Sequence, residues 1–181
     1  MKGAVFTEFV EFVEELFGLD IADDMIDNSE LPSGGAYTAV GTYDHTEMVE
    51  LVTQLHKLTD KPVDGLIHAY GKHLFTRFAA GYHHFFEGVK PTFEFLLQIE
   101  NHIHVEVRKL YADAELPTFE YPHVSANRLE MIYRSQRAFG DLAAGLIEGC
   151  IEHFGEQISV KREALASEDG KAIRFVLTID G

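Results

Sequence analysis

Ten histidines, against a single cysteine at Cys150, make coordination by imidazole the first chemistry to weigh in this chain. Most of the spacings fail. His68 and His73 are five apart and His83 and His84 are adjacent. Neither arrangement puts two ligands on one helical face beside an acid, as an i, i+4 pair would. His102 and His104 are two apart on what reads as a helix, so at about 100° per residue they point in different directions and must have different jobs. His102 has Phe95, Gln98, Ile99, Val105, Glu106 and Lys109 around it at helical spacing, a half-polar rim. His104 falls in line with Leu97, Glu100, Ile103, Val107, Arg108 and Tyr111, within the apolar stripe.

An imidazole so placed has two readings. One is a core histidine satisfied by a backbone carbonyl. The other is the axial ligand of a haem iron, which requires one imidazole in an apolar cavity; the chain has 14 Phe to line such a cavity. A second constellation is Tyr133, Ser135 and Arg137 in Tyr-Arg-Ser-Gln-Arg. Read as alternate positions of a strand, a phenol, a hydroxyl and a guanidinium converge on one side and can clamp an anion, Arg137 by a bidentate bond to a carboxylate. The same pattern is also an ordinary polar face of an edge strand.

The elements that must position these groups follow from periodicity. Residues 3–17 carry Phe6, Phe9, Val10, Val13, Leu16 and Phe17 at helical spacing and stop at Gly18; Asp20 to Asn28 reads as a second, short helix. Asp44 and Glu47 have the spacing of a capping box for a helix to about Leu58, and Pro62 opens another from Val63 to about Ala80. Pro91 suits the first position of one long helix that runs through His104 to Tyr111. After Pro117, Thr118–Val124 and Arg128–Ser135 read as strands, Ala138–Phe154 as a helix, and Gln157–Leu165 and Ala172–Ile179 as strands joined by a turn at Glu168–Lys171. The expected class is α+β: helices first, then a small antiparallel sheet with one packed helix. One domain is expected over residues 1–181, helical to about 117 and sheet-containing from about 118.

Composition removes several function classes. Among 181 residues, 46% are hydrophobic and 25% charged, ordinary for one globular domain. The net charge of −15, from 30 acids and 15 bases, repels nucleic acid and anionic membrane surfaces. One cysteine excludes an intrachain disulfide framework and points to the reducing cytoplasm. Glu8, Glu11, Glu14 and Glu15 are out of place in a signal peptide, and no apolar run approaches the roughly 20 residues of a membrane span.

Taken together, Met1-Lys-Gly, Ala69-Tyr-Gly-Lys-His-Leu-Phe75, Ile103-His-Val-Glu-Val-Arg-Lys-Leu-Tyr111, Leu116-Pro117, Tyr133-Arg-Ser-Gln-Arg137 and Gly145-Leu-Ile-Glu-Gly149 resemble the H-NOX family, the haem nitric oxide and oxygen binding domains, in its stand-alone bacterial form. The resemblance covers nearly the whole chain. It implies haem b (protoporphyrin IX iron) between the two parts, with His104 as the proximal iron ligand. Tyr133, Ser135 and Arg137 would then hold the propionates, and Pro117 would press on the porphyrin from the proximal side.

Relatives that hold oxygen use a distal tyrosine; the matching position here is Leu142, with Phe9 and Leu74 at the supporting positions and Val5, Phe78 and Leu146 completing an apolar wall. Tyr70, Tyr82 and His73 are expected to lie outside this pocket. The resemblance therefore implies a sensor that binds nitric oxide, with carbon monoxide as a second gas, and excludes oxygen. Its output would pass through breakage of the iron–histidine bond to a separate partner such as a histidine kinase or diguanylate cyclase. An oxygen or redox haem sensor is the alternative, and a haem enzyme is disfavoured because no distal base is in place. The cysteine cluster of many stand-alone relatives is missing, since residues 138–181 contain only Cys150.

Overall fold

In the computed structural model, residues 1–88, 91–137, 139–165 and 172–179 are described. The turn expected at Glu168–Lys171 lies outside them. Helices α1 (Gly3–Phe17), α2 (Leu19–Asp27), α3 (His45–Thr59) and α4 (Val63–Gly81) build the first part. A 3₁₀ turn at His83–Phe86 leads to α5 (Thr92–Leu97), a π-helical segment (Ile99–Ile103) and α6 (His104–Leu110). Strands β1 (Thr118–Val124) and β2 (Arg128–Arg134), helix α7 (Gly140–Phe154), and strands β3 (Ile158–Ala164) and β4 (Ala172–Ile179) complete an α+β fold. The sheet is antiparallel throughout, in the order β1-β2-β4-β3.

Two cores flank the site. Phe6, Phe9, Val13, Met25, Leu51 and Leu55 are fully buried among the first four helices. Leu129, Met131, Phe175 and Leu177 point from β2 and β4 into a second core shared with α7. Helix α7 also packs along α4, where two glycines let the backbones meet: a Cβ on Gly145 would stand 2.1 Å from the His68 carbonyl oxygen, and one on Gly71 2.5 Å from that of Leu142.

Three local expectations need correction. The capping box at α3 is half made: the Asp44 carboxylate accepts from Thr46 N–H at 2.8 Å, but Glu47 turns inward and accepts from the Ser33 and Tyr37 hydroxyls. Strand β2 ends at Arg134 rather than Ser135, because Ser135 Oγ accepts the Arg137 N–H at 3.1 Å and so forms a turn. The long helix from Pro91 is broken. Pro91 stands before the first turn of α5, and past Gln98 the ladder widens: Ile103 N–H reaches the Gln98 carbonyl at 3.1 Å and His104 N–H that of Ile99. Ile99, Asn101, His102 and Ile103 are indifferent helix formers, so the widened turn meets little intrinsic resistance.

Candidate functional site

A cavity of about 760 Å³ borders both cores. Helices α1, α4 and α7 contribute Val5, Leu74, Phe78, Leu142 and Leu146 to its lining; the π segment and α6 contribute Ile99, Ile103, His104, Val107 and Leu110. Pro117, Phe119 and Tyr133 come from the start of the sheet, and polar groups are contributed by Lys2, Thr42, Tyr43, Asp44, His45, Tyr82, Tyr111, Asp113, Glu115, Ser135 and Arg137. The volume and the mostly apolar lining with a few convergent polar groups suit a small-molecule cofactor.

His104 opens α6 and is buried, 8% exposed, whereas His102 is exposed with its ring edge-on to Phe85. The two side chains are separated as their spacing predicts. The His104 ring is held by Glu100, whose Oε1 lies 2.9 Å from Nδ1, and by Phe119, whose ring centroid is 6.1 Å away. A carboxylate can only accept, so Nδ1 carries the proton and Nε2 is left with its lone pair. Burial pushes the His104 imidazolium below its ordinary range, with the Glu100 carboxylate opposing it and Arg108 adding to the fall. The neutral, lone-pair form is the one that binds a metal.

No three His, Cys, Asp or Glu side chains converge to hold an ion among the described residues. A metal held by His104 must therefore bring its other ligands with it, as iron in a planar macrocycle does. The anion clamp fits the same conclusion. Tyr133 reaches the cavity from β2, while Ser135 and Arg137 reach it from the turn beyond, so all three converge although strand alternation brings only the first. Burial pushes the Tyr133 phenol up, with Ser135 and the Arg137 charge opposing. The Arg137 guanidinium is paired with the Glu115 carboxylate and also donates to the Glu115 carbonyl at 3.3 Å. Glu115 is largely exposed, so an anion entering the cavity can take Arg137 from it.

Several placements differ from the sequence reading. Phe9 does not line the cavity: its ring is fully buried, 5.0 Å from that of Tyr70, which fills the space beside it and donates its hydroxyl to the Val5 carbonyl. Tyr70 and His73 stay outside the lining, but Tyr82 joins it beside Tyr111, and burial followed by the Tyr111 phenol raises its pKa. Sequence gave no motif for Glu100; only its i, i+4 relation to a buried histidine could have marked it. Lys2 was likewise missed. Its ammonium meets Thr42 Oγ1 at 2.7 Å and Asp113 at 3.0 Å, which ties the start of α1 to the chain beyond α6, a contact 111 residues apart. Cys150 is buried, and that burial pushes its thiol pKa well above the ordinary range, which disfavours the thiolate.

A family model described as haem-NO-binding matches residues 2–162. Among solved structures, the ferrous unliganded H-NOX protein from K. algicida is 42% identical over 100% of this chain and 97% of its own, with a TM-score of 0.93. The H-NOX protein from Shewanella woodyi, bound to IWP-051 in the Fe(II)CO state, is 37% identical over 99% of this chain and 95% of its own, with a TM-score of 0.85. An H-NOX protein from S. oneidensis in the Fe(II)NO state is 21% identical over 100% of both chains with a TM-score of 0.90, a likeness of fold alone. No curated protein is a significant match.

Proposed function

The chain belongs to the haem-NO-binding, or H-NOX, family of haem-based gas sensors, and on that premise we propose that it senses nitric oxide, excludes oxygen and signals by release of His104 from iron. The observation that carries this reading is the buried His104 imidazole, its Nδ1 taken by Glu100, in a cavity whose α1, α4 and α7 wall is apolar; the other imidazole of the lining, His45, is half-exposed beside the Asp44 carboxylate. Haem b bound there would supply an open coordination position for a diatomic gas. His104 would hold the iron through Nε2. Arg137, Tyr133 and Ser135 would donate to the propionates, Arg137 leaving Glu115 to do so, with Pro117 and Phe119 against the ring.

Bound dioxygen carries partial negative charge and is stabilised by a hydrogen-bond donor; bound nitric oxide depends little on one. Val5, Leu74, Phe78, Leu142 and Leu146 offer no donor, which favours nitric oxide, with carbon monoxide as a second ligand. None of these five side chains is an acid or base, which argues against a haem enzyme. Once His104 is free, α6 can shift, since it leans chiefly on the π segment before it. A separate histidine kinase or diguanylate cyclase would read that movement in the cytoplasm, through a basic patch that the −15 charge of this chain would steer. One sensor domain would then span residues 1–181, helical to about 117 and sheet-containing beyond. No described helix is long and apolar enough to cross a membrane.

The deciding experiment is the absorption spectrum of the ferrous protein under argon, nitric oxide, carbon monoxide and air. A five-coordinate nitrosyl, a carbonyl adduct and no lasting oxygen adduct are expected. A long-lived oxygen spectrum would favour the oxygen sensor instead, and the placement of Tyr82 in the cavity lining is an observation on that side.

A further inference from the structure

Glu100 lies in the π segment four residues before His104, its side chain 21% exposed, and its Oε1 receives two hydrogen bonds. One comes from His104 Nδ1 at 2.9 Å and the other from the Phe119 backbone N–H at 3.1 Å. The second fixes the carboxylate to the start of β1; the first sends negative charge towards the ring. An imidazole that donates Nδ1–H to a carboxylate is a more basic ligand at Nε2 than one that donates to a neutral oxygen.

We propose that Glu100 is a positioning residue that sets the strength of the bond His104 makes to iron, and so how readily gas binding releases that histidine. The proposal rests on the sensor function above. Its rival is a purely structural staple between the π segment and β1. Gln at position 100 separates the two, because its carbonyl oxygen still accepts from both N–H groups while the charge is gone.

The test compares ferrous haem-loaded wild type with E100Q and E100A by resonance Raman spectroscopy of the iron–histidine stretch, by reduction potential, and by the rate at which a six-coordinate nitrosyl becomes five-coordinate. In E100Q the stretch should move to lower frequency, the potential should become more positive, and conversion should quicken several-fold; E100A should go further in all three. A stretch, potential and rate in E100Q equal to wild type would leave only the staple and overturn the proposal. If E100Q fails to load haem, the wild-type carbonyl adduct, which is diamagnetic, decides by proton NMR. A far-downfield His104 Nδ1–H protected from solvent exchange supports the carboxylate bond; a freely exchanging one removes it. A wild-type protein that shows no haem spectrum overturns the sensor function and this proposal together, whereas an unchanged, fully loaded E100Q removes the role of Glu100 alone.

Discussion

The two sides of the cavity are built in opposite ways. On one side, α1, α4 and α7 are 15, 19 and 15 residues long. The last two touch backbone to backbone through Gly71 and Gly145. On the other, α5 has six residues, the π segment five and α6 seven, and Val105 and Leu110 on α6 are 39% and 63% exposed. The long helices present apolar side chains to the cavity, and α4 and α7 meet without a gap at those glycines. Of the short ones, α5 is anchored in the second core by Phe93, Phe95 and Leu96, whereas α6, which carries the imidazole, buries only His104. Under the proposed function this division would be useful, since the long helices would keep the shape of the pocket while the short α6 moved on release of His104.

The sharpest way to break the comparison is to remove the reactive group. His104→Gly should yield protein that lacks haem, or takes it up only when free imidazole is supplied, as absorption spectra would record. His102→Ala should bind haem as wild type does, because its ring faces outward against Phe85. Loss of the ferrous spectrum in His102→Ala with retention in His104→Ala would invert the assignment.

How much of this was legible depended on what kind of force fixes each part. The helices α1 to α4 and the four strands follow from apolar spacing and turn residues, and the sequence reading placed their ends within a residue or two. His104 was separable from His102 because a helical face is a property of spacing. The π segment was not legible: no residue type in Ile99–Ile103 marks a widened ladder, and the bond Glu100 makes there to the Phe119 N–H, 19 residues away, leaves no trace in local spacing. Phe9 failed for a related reason. It shares a face with Val5, but whether a ring on that face meets the cavity or the core is decided by Tyr70 from another helix. Ser135 and Arg137 converged for a reason other than the strand alternation that suggested them, namely the Ser135 turn.

The clamp gives the second test. Arg137→Ala should speed haem loss more than Ser135→Ala. A charged donor to a carboxylate is worth about 1.5–3 kcal/mol against about 0.5–1.5 kcal/mol for a neutral hydroxyl. Transfer of haem to an excess of apomyoglobin measures both rates, and equal rates would contradict the ranking.

The rigid wall can be probed without touching the haem. Gly145→Ala drives a methyl into the His68 carbonyl, and overpacking of this kind destabilises by about 1–3 kcal/mol. At roughly 2–4 °C per kcal/mol for a chain of this size, the fall in Tm is readily measured. Gly81→Ala, at the end of the same α4, meets nothing within 4 Å and should not lower Tm. Equal shifts in the two variants would mean that the α4–α7 contact is not the tight element it is taken to be.

The smallest effect is expected at Tyr82, and it bears on whether the inert wall is inert. Tyr82 stands at the end of α4, one turn beyond Phe78, and is the tyrosine by which the helical wall could offer a hydrogen bond after all. Its phenol lies against that of Tyr111, which follows α6, and so spans the long-helix and short-helix sides of the cavity. If that partner occupies the hydroxyl, Tyr82→Phe should leave the nitric oxide and carbon monoxide spectra and the absence of an oxygen adduct unchanged, with at most about 0.5–1.5 kcal/mol of stability lost with the single bond. Stopped-flow mixing of the ferrous variant with oxygenated buffer is the measurement. A wild-type oxygen adduct that forms on mixing and disappears in Tyr82→Phe would show the phenol turned towards the gas, and would move the selectivity of the site from its apolar wall to this one side chain.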